Sequence, residues 1–298
     1  MTDAVLIGPV AAPDVHVMSF NVRRRTPSLR PGSPDRWDTR RPLVRRLLHA
    51  EQPTLLGVQE ALADQVDAVE HALGRRYRWI GHGRNAAGTD ERCAIFYDSE
   101  RLELTGWRQR ALSATPDRPG SRSFGNITRR ILVSADFTDV ATGARLLAYN
   151  THLDHLSWRS RLASAAMILD LVQRAASAEP DASIVVTGDF NADVDSAVYR
   201  RLTSEGVLRD TWEAAAEQLT PQWGTYSNYR RRRAGGSRID LILVSRGVDV
   251  RSAGINAARF EGRAASDHEP VQAVLRHGDR SAAAPAADAE TGPPGASR

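Results

Sequence analysis

Polar residues with catalytic potential lie where short apolar runs of this sequence end. The run from Leu146 to Tyr149 is followed at once by Asn150, Thr151, His152, Leu153, Asp154 and His155. Other apolar runs end or begin close to the following polar residues: Asn21, Glu60, Asp189, Asn191, Asp240, Asp267 and His268. Buried polar groups cost free energy unless they are paired, and catalytic groups commonly sit at strand ends on a rigid scaffold. We therefore expect these residues to be either solvated or functional.

Four of the candidates offer hard oxygen ligands. They are Glu60, Asp189, Asn191 and Asp267. Carboxylate and amide oxygens suit Mg²⁺ or Mn²⁺, so the set predicts a divalent-metal site. Asp189 and Asn191 are two positions apart, and an extended chain would therefore direct both side chains to one face.

Two histidines supply groups that exchange protons near neutral pH. His152 and His268 can each act as acid, base or hydrogen-bond donor, and Asp240 could orient an imidazole. A divalent metal beside two histidines suits phosphoester hydrolysis, because the metal neutralises phosphate charge while the side chains position water and assist the leaving oxygen. The residue set therefore favours a metal-dependent phosphoesterase.

Composition and charge exclude several other classes. The 298 residues are 41% hydrophobic, which is enough for one large domain or two ordinary ones. The single cysteine, Cys93, rules out an internal disulfide and a Cys-based zinc site, and a core position is expected for it. All 40 basic residues are arginine, against 36 acidic ones, so the net charge of +4 permits an anionic partner without demanding one. No membrane-spanning run and no signal-peptide pattern is seen, and a cytoplasmic monomer is expected.

The elements that must position these residues are short strands with a few interspersed helices, which predicts a mixed α/β domain. Predicted strands are His16–Phe20, Leu55–Gln59, Ala94–Tyr97, Arg130–Phe137, Arg145–Thr151, Ser183–Asp189, Ile239–Val244 and Val271–Leu275. Predicted helices are Asp38–Ala50, Asp64–Leu73 and Ser157–Ala178. We expect a flexible arm over residues 1–13, one domain over 14–276, and a disordered, Ala/Pro/Gly-rich tail over 277–298.

Six short motifs occur in one order along the chain. They are SFN at 19–21, QE at 59–60, NTHLDH at 150–155, GDFN at 188–191, RID at 238–240 and SDHEP at 266–270. Together they resemble the endonuclease/exonuclease/phosphatase superfamily of metal-dependent phosphoesterases, in a bacterial branch that carries the NTHLDH form. The resemblance implies a DNase I-like fold, a four-layer α/β sandwich in which two mixed sheets face each other with helices outside.

The resemblance also implies a role for each motif residue. Glu60 would be the principal metal ligand for Mg²⁺ or Mn²⁺, with Asn21, Asp267, Asp189 and Asn191 around the same ion. Asp189 would orient or deprotonate the attacking water, and Asn191 would hold that water or the phosphate. His152 would be the general acid or a phosphate donor, His268 would contact phosphoryl oxygens, and Asp240 would pair with a catalytic histidine. Arg130, or the adjacent Arg129, would contact the substrate phosphate. His155 would contact the substrate or support the site, or else belong to a polar loop.

Several alternatives stay open at this point. The NTHLDH segment also resembles the HxHxDH motif of binuclear zinc hydrolases, although Asn150 replaces the first histidine. The expected substrate is a phosphodiester, with a nucleic acid as partner; a phosphomonoester of a sugar, inositol or nucleotide is the alternative, and a non-catalytic nucleic-acid or phospholipid binder is a third. Arg230 to Arg233 would grip phosphates or form a solvated loop, and Glu91 would reach the site or lie on the surface.

Overall fold

The computed structural model describes residues 5–27 and 30–277. The regular elements follow in the order β1 (Asp14–Asn21), α1 (Trp37–Glu51), β2 (Leu55–Gln59), α2 (Ala63–Leu73), β3 (Tyr77–Ile80), β4 (Ile95–Asp98), β5 (Leu102–Ala111), β6 (Ile131–Asp139), β7 (Arg145–His152), α3 (Trp158–Ala178), β8 (Ser183–Asp189), α4 (Ala197–Thr203), β9 (Leu208–Asp210), α5 (Thr211–Ala214), β10 (Glu217–Gln218), β11 (Asp240–Ser245), β12 (Asp249–Ile255) and β13 (Val271–Arg276).

The strands form two mixed sheets. The first has the order β10-β12-β13-β1-β2-β4-β3, and the second has the order β5-β6-β7-β8-β11-β9. Near the centre of each sheet two strands run parallel, β1 with β2 and β7 with β8. Most of the other neighbours pair antiparallel, as β1 does with β13 and β8 with β11.

Three apolar clusters separate four layers. One lies between the sheets and includes Val17, Val185 and Ile242. A second fills the space between the first sheet and α1 and α2, and a third lies between the second sheet and α3 and α4. Since each cluster buries one face of a sheet, the order of layers is helices, sheet, sheet, helices. The predicted four-layer, DNase I-like fold is therefore confirmed.

The alternation of side chains along each strand decides where the polar residues point. In β1, Val15 and Val17 belong to the cluster between the sheets, so Asn21, an even number of positions further on, shares that face. Three further candidates also lie an even number of positions from an apolar residue of this cluster, and they therefore share its face. They are His152 after Ala148 in β7, Asp189 after Val185 in β8 and Asp240 before Ile242 in β11. Four candidate residues thus face the gap between the sheets, where the apolar packing ends.

Asn150 links the two sheets directly beneath this point. Its Nδ2 donates to the carbonyl oxygens of Val58 and Ala94, each at 2.9 Å, and its Oδ1 accepts from Gln59 at 2.7 Å and Thr187 at 3.1 Å. Gly57 permits this close approach, since a Cβ there would lie 2.2 Å from Thr187 Oγ1. The side chain of Asn150 is fully buried and satisfied, and it fixes the separation of the layers.

The predicted strands and helices all exist, with ends that differ by one or two residues. The strand that sequence reasoning missed most plainly is β5, LELTGWRQRA, at the edge of the second sheet; its polar and charged residues are mostly exposed and show no buried run. The flexible arm over residues 1–13 and the disordered tail over 277–298 stay predictions, and residues 1–4 and 278–298 lie outside the described part. In the described part of the arm, backbone N–H groups of Leu6 and Gly8 donate to the Glu51 carboxylate. Among described helices, none has the length and apolar character needed to cross a membrane.

Candidate active site

Asp189, the last residue of β8, lies at the centre of the polar cluster. Its Oδ2 accepts a hydrogen bond from Asn21 Nδ2 at 3.0 Å and lies 3.4 Å from His152 Nε2 and 3.8 Å from His268 Nε2. Its Oδ1 accepts the backbone N–H of Asn191 at 2.9 Å. Burial, followed by the nearby Asp240 carboxylate, raises the pKa of Asp189 to about 7. The predicted residues from four strand ends therefore converge on one carboxylate.

Glu60 lies next to this centre, in the turn that follows β2. Asn21 Nδ2 donates to Glu60 Oε1 at 3.0 Å, and the backbone N–H of Arg24 donates to Oε2 at 3.0 Å. Glu60 has a φ of 64°, a left-handed conformation that is uncommon outside glycine and here directs the side chain into the cleft. Burial alone would raise the pKa of Glu60, but these hydrogen bonds, together with the charges of His268 and Arg23, hold the pKa below its ordinary value.

The imidazole of His268 is oriented by Asp240. The Nδ1–H group donates to Asp240 Oδ2 at 2.8 Å, which leaves Nε2 on the side of Asp189. Burial would lower the pKa of His268, but the facing carboxylates, first of all Asp240, raise it well above its ordinary value. Thr225 fixes the start of β11, since its Oγ1 accepts the backbone N–H groups of Ile239 and Asp240, each at 3.0 Å.

His152 has the opposite electrostatic environment. Burial, followed by the positive charges of Arg130 and His268, holds the pKa of His152 well below its ordinary value. The two histidines therefore carry opposite tendencies, with His268 favouring the protonated form and His152 the neutral form. Both flank the same oxygen of Asp189, so a neutral and a cationic imidazole can face one substrate from two sides.

Asn191 departs from the extended chain that its spacing from Asp189 suggested. It has a φ of 48°, so the backbone turns at this residue instead of continuing the strand. Its Nδ2 donates to the carbonyl of Leu153 at 3.0 Å, while Leu153 N–H donates to the carbonyl of Asp189 at 2.8 Å. Asn191 still lines the cleft, and it also ties the end of β8 to the segment after β7.

Asp267 approaches the cleft from the segment before β13. Its carboxylate lies 3.6 Å from Arg23 Nε and 3.2 Å from Ser266 Oγ. Ser266 Oγ also lies 2.7 Å from the carbonyl of Asn21, to which it can donate, so the segment is held against the end of β1. Burial raises the pKa of Asp267, although His268 and Arg23 counteract it.

Arg130 and His155 form a pair on another wall of the cleft. Arg130 is buried and its Nη2 donates to His155 Nδ1 at 3.0 Å, while its Nε lies 3.7 Å from the Asp154 carboxylate. Asp154 accepts the backbone N–H groups of Leu156 and Ser157, which shapes the turn before α3. Asp154 thus positions the guanidinium of Arg130, and both Arg130 and His155 line the cleft.

The cleft has a volume of about 400 Å³ and is lined by all the predicted site residues except Asn21 and Asp240. Three residues that sequence reasoning missed or left open line it as well: Arg24, Arg84 and Glu91. The ring of Tyr226 packs against that of His268, with centroids 4.9 Å apart and ring planes tilted by 50°. The exposed residues Arg230 to Arg233 do not line this cleft, and the first three of them border a separate groove with Trp223 and Arg259.

The donor set fits a divalent cation. Glu60, His152 and Asp189 each place one ligand atom so that the three lie within 4.8 Å of one another. Asn21 contacts two of these residues through its hydrogen bonds to Glu60 and Asp189, and Asp267 lines the same cleft. Buried carboxylates that face each other repel unless a cation or a proton is shared, and oxygen donors are the ligands Mg²⁺ and Mn²⁺ prefer. The residues can therefore hold such an ion.

Comparison with known protein families excludes one of the alternatives that the sequence left open. Residues 18–268 match the Endonuclease/Exonuclease/phosphatase family along their whole length. The chain belongs to this family. The match spans the first five motifs and reaches His268 within the sixth, which confirms the resemblance and removes the binuclear zinc hydrolase as an alternative. Membership makes the chain a hydrolase of the phosphatase and nuclease type.

Solved structures that resemble this chain over most of its length support the family assignment. An endonuclease/exonuclease/phosphatase protein from Bacteroides vulgatus is 30% identical, with a TM-score of 0.80 over 89% of this chain and 99% of that one. A mannosyl-6-phosphatase from Bacteroides thetaiotaomicron is also 30% identical, with a TM-score of 0.80 over 88% of this chain and 99% of that one. A curated relative, Nocturnin from Xenopus laevis, is 24% identical over 227 residues, which are 70% of this chain and 55% of that protein. The chain spans about half the length of this curated relative.

Proposed function

We propose that this protein is a divalent-metal-dependent phosphoesterase whose cleft around Asp189 hydrolyses small phosphomonoesters. The observation that carries the proposal is the convergence of Asn21, His152 and His268 on the Asp189 carboxylate, with Glu60 held beside it. A buried carboxylate flanked by two imidazoles can accept a proton from water while the imidazoles contact phosphoryl oxygens.

Each side chain has a task that follows from its contacts. Asp189 would accept the proton of the attacking water, held in place by the backbone N–H of Asn191. His268, oriented by Asp240, would donate from Nε2 to a phosphoryl oxygen, and His152 would face the leaving oxygen from the other side. Arg130 would neutralise charge on the phosphate, and His155 would fix the guanidinium plane of Arg130.

We propose Mg²⁺ or Mn²⁺ as the cofactor. Glu60 would be the main ligand, with Asn21 and Asp267 beside it and Asp189 and Asn191 on the facing strand end. When bound, the ion would neutralise phosphate charge and bring the phosphoester to the cleft. Asn21 now directs Nδ2 at Glu60 and Asp189, so ligation would need its amide to rotate and present Oδ1.

The size of the cleft and one relative favour a small substrate. A volume of about 400 Å³ suits a compact molecule, and a protein named as a mannosyl-6-phosphatase is 30% identical over nearly all of both chains. A phosphodiester, the first expectation from the sequence, is the second candidate. The exposed arginines Arg230 to Arg233 favour it, since such a loop can bind a nucleic-acid backbone.

Hydrolysis of p-nitrophenyl phosphate and bis(p-nitrophenyl) phosphate, compared side by side with Mg²⁺, Mn²⁺ and EDTA, tests the proposal. We expect metal-dependent turnover with preference for the monoester, and a loss of at least about 10²-fold in His152→Ala and Asp189→Ala. Preference for the diester would select the nuclease candidate. Metal-independent activity, or full activity in both variants, would contradict the proposed chemistry. Absence of turnover of both substrates would instead favour a non-catalytic binding module.

A further inference from the structure

Three charged side chains that line the cleft, those of Arg24, Arg84 and Glu91, have no task in the chemistry described above. Glu91 Oε1 accepts hydrogen bonds from Arg24 Nη1 at 2.6 Å and from Arg84 Nη2 at 2.8 Å. Glu91 and Arg84 are largely buried, with side-chain exposures of 7% and 12%, whereas Arg24 is 43% exposed. All three line the cleft that contains Glu60 and Asp189. We call this group the Arg24–Glu91–Arg84 cluster.

The backbone fixes the cluster beside the catalytic centre. Arg84 N–H donates to the carbonyl of Glu91 at 2.9 Å, and Arg92 N–H donates to the carbonyl of Ala61 at 2.9 Å, directly after Glu60. The loop closes tightly at Gly83, where a Cβ would lie 2.4 Å from the backbone nitrogen of Asp90. Since the segment that carries Glu91 is bonded to the turn that carries Glu60, the cluster cannot move independently of the site.

The charges in the cluster are balanced. Arg24 and Arg84 are positive, while Glu91 and Asp90, which pairs with Arg84 Nε at 3.1 Å, are negative. A balanced group is poorly suited to a second phosphate, which would have to displace a carboxylate from its arginines. Glu91 is equally poorly suited to ligate a metal, because two guanidinium groups already contact Oε1.

Donors and an acceptor nevertheless remain for a neutral polar ligand. Among the described residues, Glu91 Oε2 and Arg84 Nη1 make no hydrogen bond. A carboxylate oxygen beside a guanidinium N–H matches a hydroxyl group, which donates and accepts at once. Adjacent hydroxyls of a sugar or polyol present this pattern repeatedly. Hydrogen bonds to charged groups are also the stronger ones.

We propose that the Arg24–Glu91–Arg84 cluster is the specificity site that binds the hydroxyl groups of a polyol or sugar leaving group. This inference rests on the proposed function and names the substrate class of the same cleft: hexose or polyol phosphates rather than aryl phosphates or bisphosphates. Glu91 is the central residue, since it holds both arginines and offers Oε2 to the ligand.

The test compares kcat/KM for mannose 6-phosphate and phenyl phosphate in the wild-type protein, in Glu91→Gln and in Arg24→Gln. Arg24→Gln keeps the backbone N–H that supports Glu60. The matched control is Glu179→Gln, which removes the carboxylate from an ion pair with Arg145 that does not line the cleft. We expect the wild type to prefer the hexose phosphate, and Glu91→Gln to lower the ratio of the two kcat/KM values about tenfold or more. Arg24→Gln should lower the ratio less, and the control should keep it.

Equal loss for both substrates in Glu91→Gln, or an unchanged ratio in both cleft variants, would overturn the inference while leaving the phosphoesterase proposal intact. A preference of the wild type for fructose 1,6-bisphosphate would also overturn it, in favour of a second anion site. If the wild type hydrolyses no phosphoester, the proposed function fails. Calorimetric binding of mannose 6-phosphate and phenyl phosphate in EDTA then tests the inference without turnover. Tighter binding of mannose 6-phosphate that is lost in Glu91→Gln supports the inference. Equal affinities of the wild type for the two compounds contradict it.

Discussion

Asp240 Oδ2 lies 2.8 Å from His268 Nδ1, and this contact decides which nitrogen of the ring faces the cleft. Asp240 is the first residue of β11, and His268 belongs to the segment before β13, so the pair joins the two sheets. Thr225 fixes the backbone of Asp240, and Ser266 Oγ accepts the backbone N–H of His268 at 3.3 Å. The orientation of the imidazole therefore depends on both sheets at once.

Asp240→Asn should lower kcat about 10²-fold with little change in KM, because an amide no longer stabilises a protonated His268 and can reverse its tautomer. Metal-dependent kinetics of phosphoester hydrolysis measure this change. An Mg²⁺ requirement equal to that of the wild type would show that the ion site is intact. A KM increase alone, with kcat unchanged, would contradict an orienting role for Asp240.

Glu60→Gln should raise the Mg²⁺ concentration needed for half-maximal activity at least about tenfold, because a neutral amide is a weaker ligand than a carboxylate. A metal titration of the hydrolysis rate measures it. Asp64→Asn is a suitable control, since Asp64 is half exposed and pairs with Arg25 outside the cleft. A half-maximal Mg²⁺ concentration equal to that of the wild type in both variants would contradict the role of Glu60 as a metal ligand.

Asn150→Leu should cost about 3 kcal/mol of unfolding free energy. The replacement removes four hydrogen bonds in a buried position, those to the carbonyl groups of Val58 and Ala94 and those from Gln59 and Thr187. Denaturant unfolding measures the loss. Gln173→Leu, on the exposed face of α3, should stay within about 0.5 kcal/mol of the wild type. Similar stabilities for the two variants would contradict the cross-linking role of Asn150.

His16 should make the fold less stable in acid. Burial lowers the pKa of His16 to about 4, against 6.5 in the unfolded chain. Between these values the unfolded state binds a proton that the native state does not, so stability falls as the pH drops from 6.5 to 4. The change approaches about 3 kcal/mol, since each pKa unit corresponds to about 1.4 kcal/mol.

Denaturant unfolding of the wild type and His16→Gln at pH 7 and pH 4.5 checks this expectation. Glutamine can still donate to the Gly8 carbonyl, which His16 Nδ1 contacts at 2.8 Å, but it does not titrate. The difference in stability between the two pH values should therefore be smaller in the variant. Parallel losses in both proteins would mean that His16 does not cause the acid sensitivity.

The sequence predicts much of the site because most motif residues lie next to an apolar run that is a predicted strand. The alternation of side chains along that strand also determines on which face of the sheet the motif residue lies. Asn21, His152 and Asp189 share the parity of inward-facing apolar residues, so a correct strand assignment already indicates that they converge. The DNase I-like arrangement itself came from the family resemblance, since alternation along a strand does not reveal which strands are neighbours. The edge strand β5 was not predicted, because its side chains alternate only partly between buried and exposed.

Residues that act through long-range contacts could not be found from the sequence. Asn150 was visible in its motif, but its contacts reach Val58 and Ala94, which are 92 and 56 positions away. Arg24 and Arg84 look like ordinary members of an arginine-rich surface until Glu91 brings them together. The turn at Asn191 was missed because a left-handed asparagine cannot be distinguished from a strand residue by spacing alone.

The most direct test of the account is phosphate release from mannose 6-phosphate after treatment with EDTA and again after addition of Mg²⁺ or Mn²⁺, for the wild type and Asp189→Asn. The account predicts no release in EDTA, recovery with the metal in the wild type, and a residual rate at least about 10²-fold lower in the variant. Equal rates with and without metal, or an Asp189→Asn rate equal to that of the wild type, would contradict it.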